Sequence, residues 1–150
     1  MSSFVSMLTI EFPAPDFQIK NEDGKEFIKD IIRRKWVRLT PEEWVRQNII
    51  QYLIKTKSYP PSLLSVEKEI RLGELKKRCD VVVYKNDVPW MIVECKQPDV
   101  ALTETTLMQV LRYNMVNQCA YLIISNGNTS KGWLVEKERA EEIQELPYWK

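Results

Sequence analysis

The chain has no histidine, only three cysteines and four glycines, no dominant charge and no long apolar run. Each shortage excludes a class of chemistry. Without imidazole there is no Ser-His-Asp or Cys-His nucleophile pair, no histidine general base and no imidazole-ligated metal, so any hydrolysis must use carboxylates, lysine or tyrosine. Cys79, Cys95 and Cys119 are odd in number, widely spaced and free of any C-x-x-C pair, which reads as reduced packing residues of a cytosolic protein rather than zinc or redox chemistry. No stretch approaches the roughly 18 apolar residues that span a bilayer. Met1 to Asp16 lacks a basic region followed by an apolar one, and Glu11, Pro13 and Asp16 interrupt it, so the expectation is a cytoplasmic protein without membrane attachment. With 22 Lys plus Arg against 21 Asp plus Glu, net charge does not mark a nucleic-acid binder, and only locally clustered charge can make one.

What is present describes one globular domain over residues 1–150. At 44% apolar and 29% charged residues, the chain is neither disordered nor fibrous. A domain of this length buries about 68 to 70% of its unfolded surface without metal or disulfide support. No repeat, low-complexity tract or linker divides it. Up to Gly24, Pro13-Ala14-Pro15 and the turn signal Asn21-Glu22-Asp23-Gly24 leave room for one short strand around Phe4 to Ile10. Lys25 to Arg38 is mixed, with Phe27, Ile31 and Ile32 at helical intervals and the basic run Arg33-Arg34-Lys35.

Thr40-Pro41-Glu42-Glu43 is a helix start: Thr as N-cap, Pro at N1, acids in the first turn, and Glu at N3 to complete a capping box. The stripe Val45, Ile49, Leu53 with Ile50 and Ile54 carries the helix to Tyr59-Pro60-Pro61. Strands are then expected over Leu64 to Leu72, Leu75 to Tyr84 and Val88 to Lys96, with turns at Gly73-Glu74 and Asn86-Asp87. A second amphipathic helix follows from Thr103 to Asn117, then a buried strand over Ala120 to Ile124. Lys131 to Val135 is expected to pair back after Asn126-Gly127-Asn128, and Lys137 to Leu146 reads as a short polar helix. The expected fold class is α/β, with a central mixed sheet of four to five strands flanked by helices, in the core order αβββαβ.

The informative constellation is Asp80 before Val81-Val82-Val83 and, one hairpin later, Glu94-Cys95-Lys96 at the end of Trp90-Met91-Ile92-Val93. Residues i and i+2 of a strand share a face, so Glu94 and Lys96 point one way while Val93 and Cys95 point into the other layer. If the two strands pair about 4.8 Å apart, Asp80 comes beside Glu94, and adjacent carboxylates repel unless a cation sits between them. Mg²⁺ suits two carboxylates and a backbone carbonyl, and Lys96 beside it suits a phosphate substrate. On this view either acid can be removed without loss of metal-free stability. Against it, E-x-K triplets arise by chance, as Glu74-Leu75-Lys76 shows; only the Glu94 triplet ends a buried strand with an acid one strand earlier.

In this order the motifs resemble the PD-(D/E)xK nuclease superfamily. More narrowly, Thr40-Pro41-Glu42-Glu43-x-Val45-Arg46-Gln47, Arg78-x-Asp80, Glu94-Cys95-Lys96-x-Pro98, Gln109-x-x-x-Tyr113 and Ser125-Asn126-Gly127 resemble the N-terminal nuclease domain of type I restriction enzyme R subunits. The resemblance covers roughly residues 25 to 136, with Cys79 where the superfamily's name has proline. It implies a restriction-endonuclease-like core and Mg²⁺-dependent endonucleolytic hydrolysis of DNA phosphodiesters, with Mn²⁺ as a substitute. Asp80, Glu94 and the Cys95 backbone carbonyl would be the metal ligands and Lys96 the catalytic lysine. It also implies DNA as partner, together with a helicase or translocase motor or other restriction-modification subunits. The R subunits continue into a motor and this chain ends at Lys150, so the expectation is a freestanding relative or a fragment, cutting weakly without a partner that delivers DNA.

The flanking residues carry alternative explanations. Acids at a helix N-terminus are favoured by the dipole alone. Glu43 is already explained as the capping-box partner of Thr40, whereas Glu42 shares the face of Val45 and Ile49 and is the candidate to reach a metal through water. Gln109 and Tyr113, four apart on one helix face, are either a polar edge or a DNA-contacting pair. Arg78, Lys77 and Arg112, with Lys76 and Lys131, are candidate phosphate partners or ordinary solvated charges. Trp36, Trp44, Trp90 and Trp133 read as core or rim packing, since no alternating aromatic and basic array accompanies them. Two other functions stay open: a non-catalytic DNA-binding or docking module with the same fold, and an RNA-directed nuclease.

Overall fold

The computed structural model describes residues 8–72, 75–115, 119–137 and 139–150. Along the chain these form β1 (Ile19–Glu22), β2 (Lys25–Asp30), β3 (Lys35–Arg38), α1 (Pro41–Lys55), β4 (Leu64–Leu72), β5 (Leu75–Lys85), β6 (Val88–Cys95), α2 (Glu104–Met115), β7 (Tyr121–Ser125), β8 (Ser130–Glu136) and β9 (Arg139–Glu142), with a 3-10 turn at Pro61–Leu63. The Gly73-Glu74 turn and part of the expected Phe4 to Ile10 strand lie outside the described residues. Leu8 to Ile10 is not in a strand.

Strands β4 to β9 build one six-stranded sheet in sequence order. Every neighbouring pair is antiparallel except β6 and β7, which run parallel because the chain crosses over through α2 between them. Alternation divides the sheet between two layers. Val81, Val83, Met91 and Val93 pack with Val45, Ile49 and Leu53 of α1. Val82, Ile92, Leu122 and Ile124 pack with Leu107, Val110 and Leu111 of α2. The mixed α/β class is as expected, with one more strand than expected in the main sheet.

Strands β1, β2 and β3 form a separate antiparallel meander, where the sequence shows hydrophobic residues at helical intervals. Turn chemistry overrides that spacing. Asp23 and Gly24 adopt φ of +54° and +77°, the left-handed pair of a tight hairpin. At the next turn Asp30 Oδ1 accepts from the backbone N–H of Ile32 (2.7 Å) and Arg33 (2.9 Å), and Arg34 is left-handed at φ +58°. Ile28 and Asp30 are then buried on one face, while Ile31 is 61% exposed.

The segment expected as a polar helix over 137–146 is instead β9 and a packed tail. Arg139–Glu142 pairs with β8, and Ile143 N–H continues to the Gly132 carbonyl at 2.9 Å. Leu146 is buried, the Tyr59 hydroxyl donates to the Pro147 carbonyl at 2.8 Å, and Trp149 N–H donates to the Lys57 carbonyl at 2.9 Å. The exposed edge of β8 supplies backbone partners that a polar, weakly apolar segment cannot obtain as an isolated helix.

Candidate active site

Helix α1 begins as its sequence dictates. Thr40 is extended (φ −105°, ψ 165°) and its Oγ1 accepts from Glu43 N–H at 3.0 Å, with Pro41 in the first turn. The helix is buried on more than its apolar stripe. Glu43, Arg46 and Gln47 are all buried beneath the meander and the end of the six-stranded sheet.

These polar residues form one ion-pair network. Arg46 Nη1 donates to Glu43 Oε1 at 2.5 Å, and Arg46 Nη2 donates to Asp80 Oδ1 at 2.7 Å and Glu42 Oε1 at 3.1 Å. Arg33 Nη2 donates to Glu43 Oε2 at 2.8 Å and its Nε to Asp30 Oδ2 at 2.6 Å. Gln47 Nε2 donates to both Asp30 Oδ2 (3.1 Å) and Glu43 Oε2 (3.0 Å). Burial works against charge on Arg46, but the bond to Asp80 and the Glu43 carboxylate outweigh it and hold its pKa above the ordinary value. Its Nε remains buried without a hydrogen-bond partner among the described residues.

Asp80 reaches this network through a break in strand alternation. Val66 pairs with Val81 and Lys68 with Cys79, so Glu67 and Asp80 face each other between two ladder pairs. Glu67 has φ +53°, the left-handed region that an L side chain adopts only with strain. As a result Val81 packs in the α1 layer while Cys79 packs in the α2 layer, although two residues apart in a regular strand share a face. Asp80 turns toward α1 at this irregularity, and its Oδ2 accepts from the Cys95 backbone N–H at 2.8 Å.

Across the β5–β6 hairpin the paired register ends at Val81 with Val93, and Asp80 and Glu94 are the next residues beyond that last pair. Val93 and Cys95 are buried in the α1 layer, and Glu94 lies between them, half-buried. Lys96 follows, half-buried, with its backbone N–H donating to the Ser125 carbonyl at 2.8 Å. Ser125-Asn126-Gly127 acts as a clamp for this end of the sheet: Asn126 Oδ1 accepts from Asn128 and Thr129 N–H, and its Nδ2 holds the Val100 carbonyl at 2.8 Å. Gly127 has φ +91°, and a Cβ there would lie 3.1 Å from Val45 Cγ2, so the turn closes directly on α1.

Glu42 and Glu43 divide differently from the sequence expectation. Glu43 is the buried acid, with 7% side-chain exposure against 46% for Glu42, because the buried surface of α1 extends around to the meander. The Thr40 cap is present, but the Glu43 carboxylate serves Arg33, Arg46 and Gln47. Glu42 sits at the rim. Its pKa is raised, first by burial and then by the Asp80 carboxylate, with Arg46 and Lys96 acting in the opposite direction. Arg46, Asp80 and Lys96 therefore all lie within electrostatic reach of Glu42.

The Asp80 environment argues against the loss of Asp80 without cost to the metal-free protein. Arg46 already compensates Asp80, and Asp80 also satisfies a buried-strand N–H. In the sequence Arg46 stands out only as part of a motif, and its bridging role is not visible there. The signal available is a basic residue at i+3 and i+4 from two acids, a spacing that also describes ordinary helix-surface pairs.

The remaining candidates are dispersed. Gln109 and Arg112 are exposed on α2, and Arg78 is exposed on β5. The side chains of Tyr113 and Lys77 lie outside what is described. Lys131 is buried and paired with Glu142 at 3.3 Å, which makes it a strand-edge ion pair instead of a phosphate partner. Burial pushes the Cys95 thiol well above its ordinary pKa and the Cys119 thiol up to about 12, and all three cysteines are unbridged and buried.

The family model for the type I restriction enzyme R protein N terminus matches residues 41–147. This chain belongs to that family. No curated protein and no solved structure matches it. The R-protein N-terminal match contains Glu42, Arg46, Asp80, Glu94, Lys96 and the Asn126 clamp, while the β1–β3 meander precedes it. Among the described residues no helix is long and apolar enough to cross a membrane.

Proposed function

We propose that this restriction-enzyme-related domain is a Mg²⁺-dependent DNA endonuclease with Asp80, Glu94, Lys96 and Glu42 in its active site, a PD-(D/E)xK-type nuclease core. The observation that supports the reading is the bond from the Cys95 backbone N–H to Asp80 Oδ2 at 2.8 Å, which brings Asp80 to the end of β6, where Glu94 stands and Lys96 follows. The succession of α1, three antiparallel strands, α2 and a parallel strand supports it, as does family membership.

The donor chemistry fits a hard cation. Asp80, Glu94 and the Cys95 backbone carbonyl offer only oxygen, with Glu42 able to act through water, and Mg²⁺ keeps several waters of its own. Among the described residues no group of three His, Cys, Asp or Glu side chains is placed to hold a metal ion, so carbonyl, water and phosphate oxygens would have to complete its shell. When bound, the ion supplies Lewis-acid polarisation of the phosphate and activation of water; Mn²⁺ serves the same role. Lys96 places a cation beside the acids, where it orients the nucleophile and offsets charge developing on the phosphate. Glu42, its pKa raised, is suited to accept a proton from attacking water. Gln109, Tyr113, Arg78, Lys77 and Arg112 are assigned to DNA contact. A translocating motor or other restriction-modification subunits are the partners expected of this family, in the cytoplasm.

Asp80 has both oxygens engaged by Arg46 and Cys95 N–H, and this favours, as a second reading, a docking module without turnover. Incubation of purified protein with plasmid, linear and single-stranded DNA, and with RNA, in Mg²⁺, Mn²⁺ or EDTA separates the two. Metal-dependent DNA cleavage lost in Lys96→Ala supports the nuclease. Cleavage undiminished in Lys96→Ala, or binding without cleavage under every condition, overturns it, and a preference for RNA reassigns the substrate.

A further inference from the structure

The outward face of the β1–β3 meander concentrates positive charge that the chain as a whole does not show. Register places Glu22 beside Lys25, Lys20 beside Phe27, Phe27 beside Arg38, and Lys29 beside Trp36, and cross-strand partners share a face. One face thus presents Lys20, Lys25, Lys29 and Arg38 against the single acid Glu22, whereas the whole chain carries a net charge of only +1. The opposite face carries the buried Ile28 and Asp30 and is turned to the protein.

Trp36 organises these cations. Lys20 Nζ lies 4.6 Å and Lys29 Nζ 5.7 Å from the Trp36 ring centroid. A ring beneath two ammonium groups holds flexible side chains in place and limits the entropy lost when they meet an anion. Because lysines cover it, the indole is not a free platform for unstacked bases. The surface therefore suits a regular array of phosphates and reads no base sequence.

The face is also fixed with respect to the candidate active site. Asp30, next to Lys29, accepts from Gln47 of α1, and Arg33 of the following turn donates to Glu43. Glu43 in turn shares Arg46 with Asp80. We propose that the outward face of the β1–β3 meander, through Lys20, Lys25, Lys29 and Arg38 around Trp36, is a sequence-independent docking surface for the phosphate backbone of duplex DNA, and that it guides the duplex toward Asp80. The guiding role rests on the nuclease reading above; the docking itself is measured without cleavage.

The test is fluorescence anisotropy with a random-sequence DNA duplex in EDTA across a salt series. It compares wild type, Lys20→Gln/Lys25→Gln/Lys29→Gln, and a charge-matched control, Lys55→Gln/Lys137→Gln/Lys150→Gln, whose lysines are exposed elsewhere. Removing one lysine–phosphate pairing lowers the slope of log affinity against log salt by about 0.9, so the meander triple variant should lose about 2 to 3 in slope and at least about tenfold in affinity near physiological salt. The control should stay close to wild type, and far-ultraviolet circular dichroism should show all three folded. Equal losses in both triple variants, or none in the meander variant, overturn the proposal, as does a single-stranded oligonucleotide or acidic polypeptide that binds the wild type more tightly than duplex. Cleavage of the same duplex in Mg²⁺ is assayed separately from binding in EDTA, so a failed nuclease reading (salt-dependent binding kept, no cleavage) and a failed docking surface (no loss of binding in the meander variant) give different results.

Discussion

Arg46 Nη2 and Asp80 Oδ1 form a 2.7 Å ion pair that joins the first turns of α1 to an irregular position of β5. The Arg46 side chain is 5% exposed and also holds Glu43 and Glu42, so a single cation serves acids from different elements. It lies between the Glu43 and Asp80 carboxylates.

Arg46→Met should lower stability by about 3 to 5 kcal/mol, because it leaves Glu43 buried and partly uncompensated. Arg46→Lys should lose less, retaining the charge but not the two-pronged grip on Glu43 and Asp80. Urea denaturation midpoints at neutral pH measure both. A Met variant as stable as wild type would show that the network contributes nothing net.

Asp80→Ala should destabilise the metal-free protein by about 1 to 3 kcal/mol, since the Cys95 N–H loses its acceptor and Arg46 a partner. Asp80→Asn, which keeps an amide oxygen for that N–H, should fall between. Thermal unfolding in EDTA checks the order. An alanine variant that melts higher would restore carboxylate repulsion as the dominant effect.

The two helix acids should separate by readout. Glu42→Gln should reduce metal-dependent cleavage with little change in stability, as Glu42 is 46% exposed, whereas Glu43→Ala should cost about 3 to 5 kcal/mol by stranding Arg33 and Arg46. Thr40→Ala isolates the cap at about 0.5 to 2 kcal/mol. Paired activity assays and urea titrations decide this; a Glu43→Ala loss no greater than that of Thr40→Ala would reduce Glu43 to a capping residue.

Asp30 should give the fold an acid-sensitive component. Burial works to raise its pKa, but the Arg33 backbone N–H, the Arg33 guanidinium and the Ile32 N–H together hold it below the ordinary aspartate value. A depressed folded pKa means that the unfolded chain takes up the proton first, so this stabilisation is complete above the ordinary value and disappears as pH falls through the folded one. Asp30→Asn should be less stable than wild type at pH 7, and the gap should narrow as pH drops below about 4. Urea midpoints at pH 7 and pH 3 test this, and a gap that stays constant on acidification would remove Asp30 as the cause.

Local signals set much of this fold. Thr40-Pro41 started α1 because capping and ring geometry are properties of adjacent residues, and the β-branched run at Val81 to Val83 and the Asn86-Asp87 turn marked the hairpin that brings Asp80 to the end of β6. The meander was not legible, since Phe27, Ile31 and Ile32 mimic a helical period and only the Asp30 turn and strand pairing select the hairpin. The tail after Lys137 became a strand because the edge of β8 was there to receive it. The same distinction governs the site. Asp80, Glu94 and Lys96 were recognisable as candidates from chain order, but that Arg46 pairs with Asp80, that Glu43 is the buried acid, and that Lys20, Lys29 and Trp36 meet across strands were decided by tertiary structure alone. Charge partners and cross-strand neighbours are fixed by which surfaces pack together, and that packing depends on residues distant along the chain.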